Sequence, residues 1–354
     1  MIHHPRATLA LEKRRKKLYV YGFPSLYGGA GAELHHQIPI WQSLGMEVHI
    51  VPTNAGYKNE PLYSEMLSTG VIVHRDNQFS AIERDAPVFG FCNEEFLRNL
   101  DAIRLHSTNT VFLNCMTWLF PLEMQRMAEG KIRTFLYQNE DVRAVQGAAL
   151  KALNPTAAVH FLPVVPHLDL ARFPFIPQRS TEFFGCGRIS RQDADKFARN
   201  TLHIYEYFVA PVPKRGLFLG FDHRSQQKIG RPYDWIRTAI DQNHCSQQEF
   251  YRHCEIVLQP SDTTENWPRV GLEAMASGSI LIVDNRGGWQ RQIEHGVTGW
   301  LCDHERDFIY YASKMAYEPL LRSQMALRAR DRVELLAGAD ASAQSWNNVF
   351  NVIL

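Results

Sequence analysis

The sequence has no stretch of about 18 uninterrupted apolar residues, the length that a membrane-spanning helix needs, and its N-terminal segment is polar and basic without the apolar core of a secretory signal. It has no Cys-x-x-Cys pair. The six cysteines, Cys92, Cys115, Cys186, Cys245, Cys254 and Cys302, are scattered, which fits reduced, buried thiols in a cytoplasmic protein better than a disulfide framework. Excess charge is also lacking: 38 Lys and Arg stand against 37 Asp and Glu, a net charge of +1, so no global field draws nucleic acid. His-Glu-x-x-His, the Gly-x-Ser-x-Gly elbow and a Walker A lysine are missing, which leaves metalloprotease, serine hydrolase and NTPase readings without support. The neighbouring His35 and His36 fall on different faces of a helix and give little basis for a shared metal. No internal repeat of fixed period is visible, so a solenoid is set aside.

What is present is an α/β pattern. At 354 residues the chain is long for one core and fits two domains with a cleft between them. Short runs rich in Val, Ile and aromatics alternate with helical stretches, the pattern of βαβ units on parallel sheets. Strands are expected at 18–23, 46–51, 70–73, 88–91, 110–114, 132–137 and 159–162, with a helix at about 31–44. Pro163, Pro166, Pro174 and Pro177 then break both helix and central strand and suggest an interdomain linker. Further strands are expected at 183–185, 217–221, 256–259, 279–283 and 299–301, and the tail from about Glu305 reads as helical, ending in an apolar stripe of Trp346, Val349, Phe350 and Ile353. The division is 1–165, a linker 166–179, 180–335, and a last helix 336–354. Lys13-Arg14-Arg15-Lys16-Lys17 is a solvated basic arm, or a weak contact to anionic lipid at the inner face of a membrane.

The segment Glu265 to Gly278, ENWPRVGLEAMASG, follows the strand EIVLQP. Its second half is a good helix, so Glu273 belongs to the first turns and Glu265 to the preceding loop. Free backbone N–H groups and the positive end of the helix dipole make such a loop a seat for phosphate. A carboxylate is a pure acceptor able to take two neighbouring hydroxyls, which suits a ribose or a hexose. On the glutamates alone, a surface helix residue at Glu273 and a solvated loop charge at Glu265 are the better reading.

The order of the neighbouring pieces sharpens this. Pro260-Ser261, Glu265, Glu273-Ala274-Met275-Ala276-Ser277-Gly278, the strand ILIVD, Gly287-Gly288 and HGVTGWL resemble the E-x7-E signature of retaining glycosyltransferases of the GT-B fold, in particular glycosyltransferase family 4. FFGCGRISRQDADKF resembles the family's strand with Gly187, Arg188 and Lys196, and VVPHLDLARF its linker. Gly28-Gly29-Ala30-Gly31-Ala32-Glu33 is similar to its glycine-rich loop, and SWNNV to its closing helix.

The resemblance implies two Rossmann-like domains facing a cleft, with the C-terminal helix crossing back to the first. It implies a retaining, metal-independent hexosyltransferase that uses a UDP-sugar such as UDP-glucose and a glycan or lipid-linked acceptor in polysaccharide biosynthesis. Glu265, Arg188 and Lys196 would be catalytic. Glu273, Val270, Gly271, Leu272, Gly187, Asn266 and Arg269 would bind donor, and Gly28, Gly29, Ala30, Gly31 and Glu33 would line the acceptor side. Arg191 competes with Lys196 for the diphosphate.

The glycine-rich loop fails as a dinucleotide fingerprint, because Leu34 stands where Gly-x-Gly-x-x-Gly needs its last glycine. Three departures from the family pattern are present. Pro268 stands inside the E-x7-E loop, and Arg291 replaces an acidic residue after Gly287-Gly288. FLNCMTW and FLYQNED offer Asn114, Gln138, Asn139 and Glu140 where a histidine is usual, leaving Glu140 or His106 as weak candidates for a base. An epimerase of the same fold, or a catalytically silent nucleotide-sugar-binding subunit, are the alternatives.

Overall fold

The computed structural model describes residues 16–25, 28–176 and 179–354. Lys13 to Arg15 of the basic run, and Pro177 of the proline-rich segment, lie outside the described residues. Within them, Lys17 pairs with Glu83 at 2.8 Å.

Seven parallel strands form the first sheet: β1 (Lys16–Tyr21), β2 (Met46–Val51), β3 (Ile72–Val73), β4 (Val88–Phe91), β5 (Thr110–Leu113), β6 (Thr134–Tyr137) and β7 (His160–Pro163), in the order β3-β2-β1-β4-β5-β6-β7. Six parallel strands form the second: β8 (Phe184–Ile189), β9 (Lys214–Leu219), β10 (Ile236–Ala239), β11 (Ile256–Gln259), β12 (Ile280–Asp284) and β13 (Trp300–Cys302), in the order β10-β9-β8-β11-β12-β13. A parallel sheet covered on both faces needs strands that are apolar throughout rather than alternating. Leu18 to Tyr21 and Ile280 to Val283 are of this kind, fully buried along their length. β10 is the strand that the apolar pattern does not announce. It lies at a sheet edge, and its central Arg237 and Thr238 are exposed between a buried Ile236 and Ala239.

The helical tail is broken by Pro319 and Gly338 into three helices, Glu305–Tyr317, Pro319–Ala337 and Ala339–Ile353. The last crosses back to the first sheet. Trp346, Val349, Phe350 and Ile353 join the core built on Leu18, Val20 and Trp41. The Trp346 and Trp41 rings meet edge to face at 5.0 Å, and Trp346 Nε1 donates to Gln37 Oε1 at 2.5 Å. The two sheets with their flanking helices have the GT-B architecture that the motifs imply. No described helix is long and apolar enough to cross a membrane.

In each sheet the strand order reverses once, between β1 and β4 and between β8 and β11. At such a point the loops leaving neighbouring strands diverge and open a crevice at the carboxyl ends. Loops after β1, β4, β5 and β6 and loops after β8, β10 and β11 together line one cleft of about 960 Å³.

Candidate active site

On the second-domain side, β11 runs into the loop 260–268 and then the helix Arg269–Ala276. Ser261 N–H donates to Asp284 Oδ2 at 2.9 Å, and Glu265 is half-buried at the cleft. The loop is held from below by glycine. Gly288 N–H donates to the Glu265 carbonyl at 2.8 Å. A Cβ on Gly288 would stand 2.1 Å from the Asn266 carbonyl oxygen, and one on Gly287, whose φ is +58°, 2.5 Å from that of Glu265. Only a residue without Cβ allows this approach.

Lys196 lies on the 3-10 turn Ala194–Lys196 after β8, and its Nζ is 2.5 Å from Glu265 Oε1. This ion pair brings together two residues that the sequence separates by 69 positions. Arg191 also reaches the cleft but pairs with Asp193 at 3.0 Å. Asp193 and Asp195 form an Asp-x-Asp triplet; Asp193 caps the turn through Asp195 N–H, and Asp195 points toward Lys228 at 3.7 Å.

Arg188 lines the cleft yet is engaged by the protein itself. It is 1% exposed, its guanidinium covers the Phe197 ring at 3.7 Å, and it donates to the carbonyls of Pro260, at 3.0 Å, and Lys196. It braces the two loops that carry Glu265 and Lys196, and burial pushes its acidity up, to a pKa of about 10. Gly187 is likewise a packing residue: a Cβ there would lie 2.5 Å from Cys254 Sγ and 2.6 Å from the Leu217 carbonyl.

The expected donor seat is narrower than the motif suggests. Val270 borders the cleft, whereas Gly271 and Leu272 are buried away from it. Gly271 N–H is taken by the Pro268 carbonyl at 3.1 Å, and its missing Cβ admits Trp289 and Gln292. Pro268 itself stands at the N-cap, where a missing N–H breaks no intrahelical bond.

Glu273 borders the cleft yet is 4% exposed. Its Oε2 accepts from the Tyr251 hydroxyl at 3.0 Å and from Gln247 Nε2 at 3.2 Å, and Arg269 Nε lies 3.9 Å from Oε1. Burial pushes its carboxyl above the usual range, against the pull of Arg269 and Tyr251. Gln247 and Tyr251 stand four apart on the short helix Gln247–His253, and that spacing is their only trace in the sequence. The loop after β10, including Asp241 and Asn243, completes this end of the cleft.

On the first-domain side, Gly28, Gly29, Ala30 and Gly31 border the cleft at the start of the helix Gly29–Ser43. Glu33 does not. One turn further on, it is turned inward, 1% exposed, and paired with Arg269 of the second domain. Its Oε1 also accepts from Gln37 Nε2 at 2.5 Å and from His167 N–H at 3.2 Å. Arg269, expected on the donor, thus has its Nη1 on Glu33 and on the His167 carbonyl at 3.1 Å. Two further contacts join the domains: Asn139 Nδ2 donates to the carbonyl of Asn266 at 2.9 Å, and Arg291 forks onto Asp141. Asn266 is therefore held through its backbone, and Arg291 serves the interface. Glu140 is exposed and paired with Arg143, and neither it nor His106 borders the cleft.

Asn114, at the end of β5, is fully buried. Its amide donates to Glu123 Oε2 at 2.9 Å and to the Trp118 carbonyl at 3.0 Å, and its Oδ1 accepts from Met116 N–H at 2.7 Å. Glu123 Oε1 and the Tyr137 hydroxyl are buried without a partner. Burial pushes the Glu123 carboxyl from its ordinary 4.5 up to about 7. The folded state therefore holds its proton longer than the unfolded chain. Stability is fully present below pH 4.5 and falls by roughly 3 kcal/mol as the pH rises through about 7. Glu123→Gln keeps an acceptor for Asn114 and Phe120 and removes the titration. Melting followed at pH 4.5 and pH 8 should show the wild type losing roughly 5–10 °C more than the variant between the two; parallel curves would refute the assignment.

Residues 241–332 match the family described as Glycosyl transferases group 1. The alpha-1,3/1,6-mannosyltransferase ALG2 of Homo sapiens is 32% identical over 112 residues, 31% of this chain. The lipopolysaccharide 1,2-N-acetylglucosaminetransferase of Salmonella typhimurium is 27% identical over 113 residues, also 31% of this chain. Each match spans 26% of that relative's length. Among solved structures, Anabaena Alr3699/HepE in complex with UDP and glucose superposes with a TM-score of 0.73 at 14% identity, covering 95% of this chain and 100% of that one. The last likeness is one of fold.

Proposed function

We propose that this chain, a GT-B protein of the glycosyl transferases group 1, moves a hexose from a nucleoside diphosphate sugar, UDP-glucose as first choice, to a hydroxyl of a glycan or lipid-linked saccharide, with retention and without a divalent metal. The observation that carries the proposal is the Lys196–Glu265 ion pair beside the buried Glu273, set at the reversal point of the second sheet and facing the Gly28 loop of the first. Glu273 takes the ribose hydroxyls, Glu265 the hexose hydroxyls, and Lys196 with Arg191 meets the diphosphate. As the sugar–phosphate bond breaks, negative charge grows on the phosphate, and a fixed cation in a shielded cleft stabilises it.

Among the described residues that line the first-domain wall there is no carboxylate and no histidine. This favours a same-face route. The departing phosphate oxygen takes the proton of the acceptor hydroxyl, the new glycosidic bond forms on the face the phosphate leaves, and UDP departs. The same observation supports the second reading, a silent nucleotide-sugar binder.

Calorimetry with UDP and a panel of nucleotide sugars, with and without a chelator, tests the proposal. UDP is expected to bind equally in both conditions, and a saccharide acceptor to raise UDP release. Loss of binding on chelation would assign a metal-holding role, with Asp193 and Asp195 the first residues to examine. Binding without release identifies a silent subunit, and interconversion of donor sugars without acceptor identifies an epimerase.

A further inference from the structure

Of the seven tryptophans, six are buried or partly covered and one, Trp118, is 54% exposed. It stands on the first-domain wall of the cleft, across from the loop of Glu265. A large exposed indole in a concave site is informative, because water contact with so much apolar surface is unfavourable until something covers it.

The segment that carries it is fixed from behind. The Trp118 carbonyl accepts from Asn114 Nδ2 at 3.0 Å, and the Met116 carbonyl accepts from Gln146 Nε2 at 3.1 Å. Phe120 N–H donates to Glu123 Oε2 at 3.1 Å. Asn114, Glu123 and Gln146 are all buried. A buried polar network thus fixes the backbone that carries an exposed ring, and a fixed backbone has less conformational freedom to lose on binding. Beside it on the cleft wall, Thr117 and Gln138 are half-buried, and their side chains make no hydrogen bond among the described residues.

We infer that Trp118 is the platform on which a sugar ring of the acceptor stacks, with Thr117 and Gln138 taking its hydroxyls, so that the hydroxyl receiving the hexose is carried on a saccharide and not on a simple alcohol. This rests on the proposed reading of the cleft as a transfer site. A pyranose has a face of C–H groups and a rim of hydroxyls. An indole covers the first while polar side chains at its edge meet the second, the division of labour found in small-molecule pockets. Trp118 touches the acceptor and not the donor, so its loss is read in one substrate alone.

The test compares wild type, Trp118→Ala and Trp118→Phe with UDP-glucose as donor and alkyl glucosides, galactosides, mannosides and N-acetylglucosaminides as acceptors, with glycerol as the ringless control. UDP calorimetry runs in parallel. Trp118→Ala is expected to raise the acceptor KM by about tenfold, with kcat at saturating acceptor and UDP affinity unchanged, while Trp118→Phe stays within about threefold of wild type. Saturation-transfer NMR on the UDP-loaded protein should show signal on one C–H face of the glycoside, lost in Trp118→Ala. Unchanged acceptor KM in Trp118→Ala, equal loss of UDP affinity, or glycerol serving as well as the glycosides would each overturn the inference. A wild type that binds neither UDP nor any nucleotide sugar of the panel overturns the transfer reading and this inference with it, whereas a wild type that transfers with an unchanged Trp118→Ala acceptor KM overturns this inference alone.

Discussion

Glu265→Gln is expected to lower the rate of UDP release with a saccharide acceptor by about 10²–10³-fold, the equivalent of roughly 3–4 kcal/mol of transition-state stabilisation. UDP should bind at least as tightly as to wild type. The reason is in the ion pair. Lys196 Nζ is 2.5 Å from Glu265, so the carboxylate holds the lysine in place and, in the proposed transfer, competes with phosphate for its charge. The amide keeps one acceptor for a sugar hydroxyl but loses the negative charge that answers positive charge building on the sugar ring as the phosphate departs. Lys196, released from its partner, turns fully to the diphosphate. A panel of rate and calorimetric measurements on Glu265→Gln and Lys196→Ala distinguishes the roles: the lysine variant should lose nucleotide affinity as well as rate, the glutamate variant rate alone. An unchanged rate in Glu265→Gln would remove this residue from the reaction.

Arg269→Met should cost about 3–5 kcal/mol of stability, because it leaves the Glu33 carboxylate buried without its counter-ion. Both side chains are nearly sealed from water, at 6% and 2% exposed. Replacing both partners, Glu33→Gln with Arg269→Met, should recover part of the loss, since Glu33 then leaves no charge unpaired while the buried Glu273 still lacks the pull of Arg269. The pair also joins the domains, so chemical denaturation of Arg269→Met is expected to separate into two transitions where the wild type shows a more concerted one. A variant within about 1 kcal/mol of wild type would show that water reaches Glu33 and that the junction is loose.

The parts of this molecule that were legible in its sequence are those where one physical demand dominates. Strands buried on both faces are largely apolar, and β4 can be bounded from that alone, while β2 carries Glu47 and His49 among its apolar residues and β11 ends on Gln259. β10 escapes because an edge strand has no such demand on Arg237 and Thr238. The loop and helix around Glu265 and Glu273 are legible through the family resemblance of the ordered pieces from Pro260 to Gly288, and the structure adds that Gly287 and Gly288 permit the close approach of the carbonyls of Glu265 and Asn266.

Side-chain direction is not legible in the same way. Glu33 follows a glycine loop that borders the cleft, yet helix geometry turns it inward to Arg269. Arg188 has the charge suited to phosphate and lines the cleft, but from its position within β8 it is buried and directs donors to the carbonyls of the loops it braces. Arg291 has no reason in its own segment, and its partner Asp141 is 150 residues away in the other domain. At 49% and 62% exposed, that pair contributes little to stability, and it sets position more than energy. The β5 loop, read for a titratable base, carries instead an indole whose meaning depends on its exposure, which no sequence pattern reports.

The helix Ala339–Ile353 has a consequence for the order in which the protein is made. Trp346 and Gln37, 309 residues apart, belong to one core. At a synthesis rate of about 5–20 residues per second, roughly 15–60 seconds pass between their emergence. Through that interval the nascent first sheet has an apolar face around Trp41 with its cover still to come, while the whole of the second domain emerges and folds. The amino-terminal half is the first to be synthesised and the last to be finished, so its exposure to chaperones and to aggregation is set by the elongation rate of the other half.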